Sequence, residues 1–214
     1  PFKERKTMGK LQALAKDTAI YGLSSIIGRF LNYLLVPLYT AKMTVESGNY
    51  GVVTNIYGWT AVLLVLLTFG FETTFFRFAN KENADVKRVF SMSMEVIAAL
   101  CGVFLLLVFL NLPSIAGSLG YGMHPEFIGM MAVVVSLDAL QSIPFGLLRL
   151  QKRPLKFASL KLLFIGLNIT MNIFAFVVLP ELATSHPDTF SCMYDPHNQA
   201  FYVFFINLLC TSFI

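Results

Sequence analysis

The sequence predicts an all-α membrane protein with six transmembrane helices and a cytoplasmic amino terminus. Three observations carry that prediction. Across 214 residues, 56% are apolar and only 13% charged, whereas charged residues make up about a quarter of a soluble protein. Six apolar stretches approach or exceed the roughly 20 residues that a helix needs to cross a hydrocarbon core about 30 Å thick. The basic residues then fall in every second hydrophilic segment between those stretches, and loops rich in Lys and Arg are cytoplasmic.

The first stretch, Thr18–Tyr39, follows a leading segment with Lys3, Arg5, Lys6, Lys10 and Lys16. It is too long and too polar at its centre for a cleavable signal peptide. Val52–Phe71 follows a segment that holds Lys42 alone and precedes one with Arg77, Lys81, Lys87 and Arg88. Val89–Leu110 leads to a segment from Pro113 to His124 with no basic residue. Phe127–Leu148 leads to Arg149, Lys152, Arg153, Lys156 and Lys161, the last grouped with this basic loop. Phe157–Leu179 leads to an acidic, Pro-containing segment from Pro180 to Ala200, expected to be an ordered loop outside the membrane. The sixth stretch runs from Phe201 to the end. It is read as cut short, and residues 1–214 as one six-helix unit, a fragment of something longer with Met8 as a candidate start. Backbone polar groups in lipid must be satisfied within the segment, so each stretch is expected to be helical.

Net charge is +4 with a sequence pI near 9.0. The basic residues cluster on one membrane face rather than along a surface stripe, which argues against nucleic acid. They suit topology signals and contacts with anionic lipid headgroups. Three cysteines, Cys101, Cys192 and Cys210, make neither a disulfide framework nor a metal motif. His124, His186 and His197 fall in outer segments without metal-ligand spacing. No P-loop is present, and Gly117–Gly122 reads as a turn. No catalytic constellation and no cofactor motif is visible, so the chain is expected not to be an enzyme.

Polar residues inside the apolar stretches are the functional clues. Arg29 lies about eleven residues from either end of its stretch, roughly 15 Å from each interface at 1.5 Å per residue. An arginine at such depth costs between about 2.5 and 17 kcal/mol depending on the scale used. Water, a carboxylate or an anionic ligand must therefore face it. Gly22, Ser25, Arg29, Asn32 and Tyr33 form one helical stripe at spacings of three and four. Pro37 is placed to kink the helix above them.

Asp138 sits in the middle of the fourth stretch, with Gln141 and Ser142 one turn on and Pro144 beyond. It is either an ion-coupling carboxylate or a structural counter-ion. Glu95, with Ser91 one turn earlier, reads as interfacial. Asn168 with Asn172, and Asn55 with Gly58, suit interhelical hydrogen bonds and close packing. Phe71 to Phe78 alternates aromatics with Glu72 and Arg77, the pattern of an amphipathic segment near the headgroups.

The run Gly22-Leu-Ser-Ser-Ile-Ile-Gly-Arg29-Phe-Leu-Asn-Tyr-Leu-Leu-Val-Pro37-Leu-Tyr-Thr, followed by Asn49-Tyr-Gly51, resembles the opening of bacterial polysaccharide-biosynthesis flippases. So does Phe69-Gly-Phe-Glu-Thr-Thr-Phe-Phe-Arg77-Phe. These flippases belong to the multidrug/oligosaccharidyl-lipid/polysaccharide exporter superfamily. The likeness is specific over about the first 80 residues and topological beyond them. It implies two similar helical lobes around a cavity that opens alternately to each side, with this chain as the amino-terminal lobe and a carboxy-terminal lobe as its partner. It further implies transport of undecaprenyl-pyrophosphate-linked oligosaccharide from the inner to the outer leaflet of the bacterial cytoplasmic membrane. Arg29 matches the family's first-helix basic position, with Ser25, Asn32 and Tyr33 on the same substrate-facing stripe. Guanidinium suits phosphate because it stays charged and binds oxygens bidentately. The second and third stretches supply no further buried cation, which departs from the more cationic lipid II flippases.

Three rivals differ from this reading. A multidrug extruder of the same superfamily prefers acids and aromatics, which hold organic cations, and a central Arg29 repels them. A membrane-embedded polyprenyl-phosphate sugar transferase needs clustered acids or His on a long surface loop. A scaffold bundle has little use for an arginine at the midplane.

Overall fold

The structure, a computed structural model, describes residues 19, 22, 23, 26, 35–43, 48–82, 84–185, 195 and 197–213. The stripe residues Ser25, Arg29, Asn32 and Tyr33, and with them most of the first apolar stretch, lie outside the described residues.

Every regular element among the described residues is helical. They are α1 (Leu35–Lys42), α2 (Asn49–Thr68), α3 (Phe71–Ala79), α4 (Val86–Leu110) and α5 (Leu112–Ser118). After these come α6 (Pro125–Leu150), α7 (Pro154–Ile173), a π-helical segment (Phe174–Val178), α8 (Leu179–Ser185) and α9 (Gln199–Phe213). Four helical stretches, Asn49–Ala79, Val86–Leu110, Pro125–Leu150 and Pro154–Ser185, are long and apolar enough to cross a membrane. A multi-pass membrane protein follows. These four cover the second to fifth predicted stretches, and α9, at 15 residues, covers the sixth.

Local chemistry sets where these helices begin. The Asp85 carboxylate accepts from the backbone N–H groups of Lys87 and Arg88 at 3.1 and 3.2 Å, capping α4. Pro125 and Pro154 open α6 and α7, where a missing N–H costs nothing. Between α2 and α3, Phe69 and Gly70 both adopt positive φ, 39° and 72°. That pair of left-handed residues breaks the long helix and re-aims its last two turns.

Three segments differ from their sequence expectation. Pro113 to His124 is not all loop, because Leu112–Ser118 forms a helix with Pro113 in its first turn; Gly120 (φ 84°) supplies the turn that follows. The fifth span does not end at Leu179 but continues to Ser185. Pro180 is tolerated there because the preceding turn is π-helical, with the Leu179 N–H reaching back to the Phe174 carbonyl. The bonding pattern has already shifted where proline withdraws its donor. The aromatic segment after Phe69 is an amphipathic helix, but it is not simply surface-lying: Phe75 is wholly buried and Ala79 nearly so.

Helix α6 is the hub, packed against α2, α3, α4, α5, α7 and α9. In its most apolar stretch 50% of residues are buried, against 17% in those of Asn49–Ala79 and α4. Two apolar cores form around it. One joins Tyr39, Ile56, Phe127, Met131, Phe176 and Phe204. The other joins Leu67, Phe75, Ile97, Val135, Ala139 and Ile143. The Glu72–Arg149 ion pair brings the end of the second span beside the end of the fourth, so the described basic segments share one end of the bundle. At the opposite end the Asn49 amide donates to the His197 carbonyl at 3.2 Å.

Candidate functional site: a charged cavity beside the central helix

Helical periodicity builds the site. On α6, Asp138, Gln141, Ser142, Phe145 and Arg149 recur at spacings of three and four and form one face. On α7, Lys161, Phe164 and Asn168 do the same. These two faces, with Leu35 and Tyr39 of α1, Tyr57 and Leu64 of α2, Glu72 of α3 and Asn207 of α9, line a cavity of about 550 Å³. Ser142 returns its hydroxyl to the Ala139 carbonyl at 2.7 Å, in the turn where Pro144 removes an N–H.

The charged groups lie toward the basic end. Arg149 donates from Nη1 to Glu72 Oε1 at 2.6 Å, both partners being partly exposed. Its guanidinium also lies over the Phe157 ring, 5.2 Å from the centroid. Phe157 meets Phe145 edge to face at 5.4 Å, and the Lys161 ammonium sits over the other aromatic partner, 4.3 Å from the Phe145 centroid. Lys161 and Asp138 share a recess of about 30 Å³ with Gln141, Phe145 and Phe164. Among the described residues no ion pair within 4.0 Å joins them.

Toward the opposite end the lining turns neutral. The Tyr39 hydroxyl donates to Asn172 Oδ1 at 2.8 Å, and Asn172 Nδ2 donates to the carbonyl and Oδ1 of Asn168 at 2.8 and 3.1 Å. Asn207 Nδ2 donates to the Tyr57 hydroxyl at 2.8 Å. Gln141 Nε2 donates to the Thr211 carbonyl at 2.8 Å, and the Thr211 hydroxyl to Asn207 Oδ1 at 3.3 Å. Carboxamides and phenols thus tie α1 to α7, α2 to α9 and α6 to α9 while keeping polar atoms at the cavity wall.

Asp138 is therefore at the site, with Gln141 and Ser142 beside it. Lys161 is the residue that sequence reasoning misplaced: grouped with the basic loop, it turns into the cavity from the second turn of α7. The signal that could have found it was its helical register with Asn168 and Asn172. Glu95 stays outside the cavity, exposed and accepting from the Ser91 hydroxyl at 2.9 Å. Asn168 and Asn172 make the expected polar contacts, whereas Asn55 and Gly58 face outward. Among the described residues nothing lies within 4 Å of a side-chain position on Gly58. His124 bonds Glu126 at 2.8 Å and stacks on Phe127, away from the cavity.

No protein-family model, curated protein or solved structure matches the chain. Among the described residues no His, Cys, Asp and Glu cluster is arranged to hold a metal ion. The cavity lining brings together two carboxylates, two cations, three carboxamides and two phenols beside aromatic rings.

Proposed function

We propose that this chain is one lobe of a transporter that moves lipid-linked oligosaccharide from the inner to the outer leaflet of a bacterial cytoplasmic membrane by alternating access. The observation that carries the reading is the polar, charge-bearing cavity of about 550 Å³ set among membrane-length apolar helices. Desolvated charge inside a membrane is expensive and marks a pathway by default. The amide and phenol groups suit sugar hydroxyls, and the cations suit a pyrophosphate. The resemblance at Gly22–Thr40 and Phe69–Phe78 supports the same reading, with Arg29, Ser25, Asn32 and Tyr33 as further substrate contacts and a carboxy-terminal lobe completing the chamber.

A second reading draws on Asp138 beside Tyr57, Phe145 and Phe164, a lining that also suits an organic cation. A multidrug extruder would use it so. Lys161 and Arg149 in the same lining weigh against that use.

The test compares cells with and without the gene for the whole protein, measuring lipid-linked oligosaccharide in the membrane and polysaccharide at the surface. The flippase reading requires precursor to accumulate and surface polymer to fall, with rescue by the intact gene. Unchanged levels of both, with a new sensitivity to cationic drugs, would transfer the assignment to the extruder. Within the rescued strain, Arg29→Ala is expected to abolish export and Arg29→Lys to retain part of it. Full export by Arg29→Ala at normal expression would remove that residue from the substrate site.

A further inference from the structure

We propose that Lys161 is the seat of a phosphoryl group in this cavity and that Asp138 is its displaceable counter-ion. The proposal rests on the transport reading for the identity of the phosphorylated ligand, though the seat itself is defined by geometry.

The two described cations of the cavity are not equivalent. Arg149 is committed, with a carboxylate oxygen at 2.6 Å on one side and an aromatic ring on the other. Lys161 has its ring contact with Phe145, but among the described residues no carboxylate within 4.0 Å. An ammonium carries three donors, and a ring face does not take the place of an anion in a low-dielectric site. Asp138 stands across the same small recess. Its carboxylate balances the charge of Lys161 without locking the ammonium into a direct ion pair. The recess admits a water-sized group, and so a phosphoryl oxygen.

Such a layout has a specific energetic logic. A lone cation here would carry the full cost of desolvation, and a tight pair would have to be broken before a ligand could bind. A balanced but unbonded pair avoids both costs. Lysine suits the exchange because its flexible stem lets the ammonium swing from one acceptor to another. Asp138 then opposes anion binding, since ligand and carboxylate compete for one ammonium. Gln141, in the same recess, keeps its amide nitrogen on the Thr211 carbonyl and holds that wall in place during the exchange.

The experiment uses the whole protein in phosphatidylcholine nanodiscs, with farnesyl pyrophosphate as the probe, farnesol as the uncharged control and tetraphenylphosphonium as the cationic one. Lys161→Gln is expected to weaken farnesyl pyrophosphate by about ten-fold, which corresponds to about 1.4 kcal/mol, and Lys161→Arg to retain most of the affinity. Asp138→Asn is expected to tighten the probe several-fold, and that gain should vanish in the Lys161→Gln background because the two groups act on one another. Equal binding by wild type and Lys161→Gln would overturn the proposal, as would weaker binding by Asp138→Asn. Farnesol bound as tightly as its pyrophosphate would overturn it too, since the chain alone would then be recognised. Tetraphenylphosphonium bound in preference, and lost in Asp138→Asn, would make the recess a cation site instead.

The seat and the transport reading fail separately. A Lys161-dependent pyrophosphate site in a protein whose loss leaves precursor levels unchanged keeps the first and removes the second. Accumulated precursor with a Lys161→Gln protein that binds normally does the reverse.

Discussion

Asn172 is almost fully buried, and both ends of its carboxamide are used. It accepts from Tyr39 and donates to Asn168. Interhelical hydrogen bonds inside membranes average about 0.6 kcal/mol and reach about 1.7 in double-mutant cycles. Tyr39→Phe and Asn172→Ala are each expected to lower stability by about 1 kcal/mol, with a coupling energy in that range when combined. Unfolding of the four proteins in mixed micelles measures it, and strictly additive losses would mean that the hydrogen bond contributes nothing. The polar face of Asn168 and Asn172 was legible in the sequence because two amides at i and i+4 in an apolar helix must point the same way. Lys161 was not legible by the same route. A count of basic residues per segment assigns charge to loops, and it cannot see that a lysine two turns into a helix has rotated toward a neighbour. Arg149 shows the complementary ambiguity. It opens a basic segment as the charge count expects, yet its side chain crosses to Glu72.

At the scale of elements, two glycines govern how α3 sits on the bundle. Gly70 has φ 72° and, among the described residues, nothing within 4 Å of a side-chain position, so the strain of a substitution there lies in the backbone. Gly70→Ala is expected to cost roughly 1 kcal/mol, the penalty of a left-handed L-residue. Thermal unfolding reads the loss, and an unchanged midpoint would mean that the break between α2 and α3 carries no strain. Gly146 is the opposite case. A β-carbon on it would meet Phe75 at 3.6 Å and the Glu72 side chain at 3.7 Å, both ordinary contacts. Gly146→Ala is expected to be neutral or slightly stabilising, since alanine favours helix by about 1 kcal/mol over glycine. Gly146→Leu overpacks the same contact and is expected to cost about 1–3 kcal/mol. If the leucine variant melts with the wild type, α3 does not lie tightly on α6. The second to fifth spans were readable from apolar length, apart from their ends. Helix α5 and the extension to Ser185 escaped because proline signals a stop, while Pro113 in fact occupies a first turn and Pro180 follows a π-helical one.

For the whole molecule, the alternation of basic and neutral segments leads to a directional prediction. With Cys192→Ser as background, a cysteine at Ser185 is expected to react with a membrane-impermeant maleimide added outside intact cells, and one at Ala158 only after the inner face is opened. The reverse pattern would invert the molecule in the membrane. Asp138, Gln141 and Ser142 were legible as polar residues of α6, but the hub role of that helix and the partners of its polar face were hidden because they come from separate helices. The charges on that face carry a consequence for electrical behaviour. Glu72 and Asp138 cancel Arg149 and Lys161. A unit charge crossing a potential of 100 mV exchanges about 2.3 kcal/mol with the field, while a balanced set exchanges almost nothing. As far as these four residues go, a movement of the kind proposed for an unloaded lobe would be insensitive to the voltage across the membrane. Under the proposed transport reading, an anionic cargo adds charge that these four residues do not cancel, so the loaded stroke would carry the larger voltage dependence.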